Sequence, residues 1–133
     1  MTRTREKGQA AAELALVLPL LAIILLGCFD LGRLFWVRAT LVNAAREGAR
    51  YGSLFPTDQS GIVSRTQTEA GAGGLASGGV TVGVSYGPKG PVAGSAVIVT
   101  ADYSLQPITT MLFGSGPYQV SAQVQMVIMP GGE

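Results

Sequence analysis

The sequence predicts an α+β protein: a long amino-terminal helix whose distal half is covered by a small antiparallel β-sheet, in a lollipop outline. Three observations predict it. A basic start leads into an apolar run, an apolar period of three and four continues beyond that run to residue 52, and three later segments alternate apolar and polar residues.

Composition narrows the function classes. The 133 residues allow one domain, 47% of them are hydrophobic and 13% are charged. There is no His, and nine bases nearly cancel eight acids to a net charge of +1. A His-based triad, a His-ligated metal site and a polybasic nucleic-acid face therefore lack their raw material. The one cysteine, Cys28, has no internal disulfide partner. No cofactor, metal site or nucleic-acid partner is expected, and the chain is read as a non-enzyme.

Residues 1–8 hold Arg3, Arg5 and Lys7 against Glu6, a side-chain sum of +2, and residues 14–29 are an unbroken apolar run. With Ala10–Ala12 the stretch is 20 residues containing Glu13, which at about 1.5 Å per residue is roughly the thickness of a bilayer core. The positive flank places the amino terminus in the cytoplasm and the bulk of the chain outside, as a single-pass membrane protein in contact with lipid. Beyond the run, Leu34, Val37, Leu41, Ala44, Gly48 and Gly52 keep the helical period. One helix over residues 9–53 would be roughly 65 Å long, spanning the membrane over about 10–30 and projecting over 31–53.

Several residues stand out within it. Pro19 removes the bond to the carbonyl of Ala15 and marks a kink. Ala44, Gly48 and Gly52 form a smooth stripe for close helix packing, against either the protein's own domain or another helix. Glu13 is costly at the edge of a lipid-facing stretch unless it lies at the interface, is protonated or is paired with a positive group.

The exported part, 54–133, begins where Pro56 ends the long helix. Residues 59–70 predict a second helix, followed by a glycine cluster. Val80, Val82, Val84 and Tyr86 alternate before a GPKGP turn at 87–91, and Val97, Val99, Ala101, Tyr103 and Leu105 alternate after it, giving a hairpin. Residues 106–117 read as a connector with a helical turn. Tyr118, Val120, Ala122, Val124, Met126 and Ile128 then give a third strand. The acids Asp58, Glu69 and Asp102 read as isolated and solvated, and Ser60, Ser64 and Ser77 have no His to serve as base. Phe35, Trp36, Tyr51 and Phe55 read as anchors of the interface or the domain.

Taken together, the basic leader, Gly8, Gln9-Ala10-Ala11-Ala12-Glu13 and the apolar run have the arrangement cut by type IV prepilin peptidases. Residues 8–52 resemble the TadE-like pseudopilins of the Tad/Flp type IV pilus system through GQAAAE, LPLL, FDLGRLF and NAAREGARYG, in that order. The resemblance implies a leader over 1–8, cleavage between Gly8 and Gln9, and a minor subunit of an adhesive pilus. It further implies a prepilin peptidase, other pilin or pseudopilin subunits and an inner-membrane assembly platform as partners. Cleavage would place a new α-amino group one helical turn from Glu13. By the same resemblance, Glu13 would pair with the amino terminus of its own or a neighbouring chain and so guide docking.

A rival signal lies in the same segment. Leu25-Leu26-Gly27-Cys28 has the shape of a lipoprotein box, which would make this a membrane-anchored or lipidated binding module that never polymerises. Leu26 is large for that box and the helical period continues after Cys28, so the cysteine is read as a small apolar membrane-facing residue.

Overall fold

The computed structural model describes residues 3–110, 114 and 116–130. Helix α1 covers Arg3–Leu54, 52 residues, or about 78 Å at the usual rise. It begins at Arg3 rather than near Gln9, so residues 3–8 and the apolar run form one helix. It also continues through Pro19. From Gly8 to Leu25 every side chain on it is exposed. Burial starts in earnest at Val37 and then follows Leu41, Ala44, Ala45 and Ala49, all fully buried on one stripe.

The rest of the chain folds onto that stripe. Pro56 and the turn at Phe55–Asp58 end α1, and α2 runs over Gln59–Ala72, burying Ile62, Thr66 and Ala70 at four-residue steps. A short 3-10 turn at Ser77–Gly79 leads into strand β1, Val80–Tyr86. Strands β2, Ala96–Leu105, and β3, Tyr118–Val127, complete an antiparallel sheet in the order β1-β2-β3. Its register sets Val84 opposite Val99, and Val99 opposite Val124. α1 packs against α2, β2 and β3, while α2 also covers β1.

The expected alternation holds. Val80, Val97, Val99, Ala101, Leu105, Val120 and Ala122 face the core, and Ile128, just past β3, closes it. Each strand therefore buries one face and leaves a polar face of Thr, Ser and Gln outward, as a one-layer sheet covered on a single side requires. Tyr118 departs from the pattern: it opens β3 opposite Leu105 but is 51% exposed. The β1–β2 link also extends beyond the expected turn, to Ser95. Gly94 takes φ +80 in it and donates its N–H to Ile128, a conformation that a side chain would strain. The connector makes a turn at residues 107–110, where the Thr110 N–H meets the carbonyl of Pro107 at 3.3 Å. Its positions 111–113 and 115 lie outside the described residues.

Candidate functional site

The residues singled out in the amino-terminal segment share one exposed helix. Gly8, Gln9, Glu13 and Pro19 are all exposed. The Gln9 side chain donates to Glu13 Oε1 at 3.2 Å, which places the residue after the expected cut and the acid on one face, a turn apart. Nothing lies within 4 Å of a Cβ built on Gly8. The Gly8–Gln9 bond is helical, so a peptidase would have to unwind it. Glycine costs a helix about 1 kcal/mol relative to alanine and weakens it at that bond.

Between Leu14 and Phe29 the helix presents large apolar side chains to the surroundings: Leu16 is 80% exposed and Leu25 69%. No part of the described chain covers them. By length and composition, α1 is able to cross a membrane. Cys28 sits on this stretch, exposed and free.

Just past the apolar run, Asp30 holds the 106–110 connector against α1. One carboxylate oxygen accepts from the Ile108 N–H at 2.9 Å; the other accepts from the Thr109 N–H at 2.9 Å and the Thr109 hydroxyl at 2.7 Å. Arg33, one turn along, donates to the carbonyl of Gln106 at 3.1 Å. Sequence reasoning missed this clamp. Its only local signal was an acid directly after a long apolar run.

The small-residue stripe meets the protein's own second helix. Ala44 is fully buried, a Cβ on Gly48 would fall on the Thr66 hydroxyl, and one on Gly52 would lie 2.9 Å from Ile62 Cδ1 and 3.0 Å from Val97 Cγ2. These glycines let α2 and β2 approach the helix backbone closely. Arg38, on the outer side, donates to the carbonyl of Ser121 at 3.2 Å and so ties α1 to strand β3.

Asp58 corrects the expectation of an isolated, solvated acid. It caps α2, accepting from the Gly61 N–H at 2.9 Å, and also takes the Ser60 hydroxyl at 2.7 Å and the Tyr51 phenol at 2.8 Å. These donors, the Gly61 N–H foremost, hold its carboxyl below the ordinary carboxylate value. A carboxyl whose pKa is lowered by folding adds stability above its unfolded value, about 3.9, and that contribution is lost as the pH falls through the folded value. Asp58→Ala is expected to lower the Tm in detergent micelles at neutral pH, and the gap from the parent protein should narrow on acidification below about pH 4. A gap that stays constant into acid would show that the charge is not its source.

No cluster of three or more metal-ligating residues occurs among the described residues. What the residues build is a surface for other helices, lipid or protein: an exposed apolar helix running unbroken into the core of a small α+β head. That combination defines a pilin-like protein. Residues 8–50, about a third of the chain, match the model of a family described as TadE-like protein, from the glycine before the expected cut to about a turn before the end of α1. No curated protein and no solved structure shows a match.

Proposed function

We propose that this protein is a minor, pseudopilin-type subunit of a Tad-type adhesive pilus, cut between Gly8 and Gln9 by a prepilin peptidase. The observation that carries the reading is the coincidence of the family-matched segment, which begins at Gly8, with a helix bearing Gln9 and Glu13 on one exposed face. The basic leader keeps the amino terminus cytoplasmic and the head is extracytoplasmic. Once cut, α1 starts at Gln9 with a positive charge one turn from Glu13. The subunit waits in the bilayer through its apolar half and then enters the pilus through the assembly platform, with Glu13 guiding docking beside neighbouring subunits.

The test is an intact mass with amino-terminal peptide mapping of the protein from its own host, recovered from membranes and from sheared surface fractions. A chain starting at Gln9, and starting at Met1 when the peptidase is removed, is the expected result. A chain that keeps Met1 in the presence of the peptidase, or one that begins at an acylated Cys28, would overturn the reading.

A further inference from the structure

Beside the Asp30 clamp, α1 and the end of the sheet enclose an open groove of about 260 Å³, lined by Gly27, Leu31, Leu34, Leu105, Pro107 and Tyr118. Its wall on α1 spans residues 27–34, about 10 Å of helix, and the apolar run ends inside that interval at Phe29. Any membrane crossed by the run therefore has its surface at the level of the groove. We propose that this groove is a second membrane contact, taking an acyl chain of the leaflet from which α1 emerges.

Four features favour lipid. Most of the lining is apolar, with Asp30 and Thr109 its polar members, and Leu31 and Tyr118 leave 56% and 51% of their surfaces uncovered. Such a surface next to a membrane span is continuous with the lipid-facing helix. Second, Asp30 satisfies the N–H groups of Ile108 and Thr109, which would otherwise be costly where water is scarce. Third, Tyr118 presents an aromatic body with a polar tip, the residue type that settles at bilayer interfaces. Fourth, Arg33, one turn from Asp30 on α1, is half-buried and uses one donor on Gln106, leaving guanidinium donors for a phosphate headgroup. The head is thereby seated on the membrane by two elements far apart in sequence, which fixes its tilt relative to the bilayer.

The proposal rests on α1 spanning the membrane, and the experiment separates the two. The full chain, with Cys28→Ala and single substitutions Ile108→Cys, Tyr118→Cys, Ile24→Cys or Thr81→Cys, is labelled with a small fluorophore. Each is placed in nanodiscs of equal parts phosphatidylcholine and phosphatidylglycerol, one copy per disc. Lipids brominated along their acyl chains are expected to quench the probes at 24, 108 and 118 several-fold more than the probe at 81, which lies on the outer sheet face. Aqueous iodide should show the reverse order. Asp30→Ala should lose the quenching at 108 while that at 24 persists; undiminished quenching at 108 would remove the clamp from the proposal. If the probe at 24 is quenched but those at 108 and 118 respond only to iodide, the groove is not a lipid site and the proposal fails while the span stands. If the probe at 24 is not quenched, the membrane reading itself fails. Shielding at 108 that appears only with two or more copies per disc would assign the groove to a second copy and overturn the proposal.

Discussion

Replacing Glu13 with alanine is expected to leave the protein expressed, membrane-inserted and cut at Gln9, yet to reduce its recovery in sheared pili by about tenfold or more. The reasoning is electrostatic. Glu13 lies exposed at the start of the apolar part of α1, one turn from Gln9, to which it is already hydrogen-bonded at 3.2 Å. A carboxylate among apolar side chains is costly alone, and losing one partner of a desolvated ion pair costs several kcal/mol, each 1.4 kcal/mol of which is a factor of ten. In the proposed function, without the acid the new amino terminus of this or a neighbouring subunit would enter the assembly unpaired. Glu13→Gln keeps the shape and removes the charge, so it should fail as alanine does. The measurement is the ratio of pilus-borne to membrane-borne protein, with the amino terminus mapped in both. Normal incorporation of either variant would show that the acid does not guide docking.

Gly48→Val is expected to destabilise the head by about 3 kcal/mol, at the upper end of what overpacking costs. A Cβ at that position would fall on the Thr66 hydroxyl and lie 3.3 Å from Thr66 Cβ and 3.4 Å from the carbonyl of Ile62. Thr66 is fully buried and its hydroxyl donates to Ile62 at 2.8 Å, so it has no room to swing aside. Two forces oppose each other at this position. Exchanging glycine for a residue with a side chain gains up to about 1 kcal/mol of helix propensity, whereas the collision costs about 1–3 kcal/mol and separates α2 from α1. Gly48→Ala should therefore lose less than Gly48→Val, and adding Thr66→Ala to it should recover part of the loss. Thermal unfolding and limited proteolysis of the full chain in detergent read the effect. An unchanged Tm for Gly48→Val would mean that α2 is not seated on this stripe.

The parts of the fold that repeat were legible in the sequence. Val97, Val99 and Ala101 alternate with polar residues, and the strand followed. The apolar period from Leu34 to Gly52 carried the helix past the end of the greasy run. The stripe of Ala44, Gly48 and Gly52 indicated close packing, but its partner was open until α2 was seen to bring Thr66 and Ile62 against it. The two carboxylates were harder. Asp58 and Asp30 act on groups fixed by the fold: a helix start beside Tyr51 in one case, and a connector 78 residues away in the other. An acid in a sequence carries no mark of a distant N–H, so solvation was the natural reading for Asp58, and for Asp30 there was none. The start of α1 was misplaced for another reason: Gly8 weakens a helix without forbidding it, and the charged leader has no residue that stops one.

The placement of the core also sets an order of events in time. Val37, Leu41 and Ala45 are made early, but their cover includes Val120, Ala122 and Ile128, which follow more than seventy residues later. Contacts of such separation form slowly, because a long loop must close before any of them is gained. While the chain is still emerging, the distal half of α1 has no completed sheet to rest on and its apolar stripe lies open. The head thus reaches its final form only after β3 has been made and has paired beside β2. During that interval the chain exposes an apolar helix face rather than a nearly finished domain.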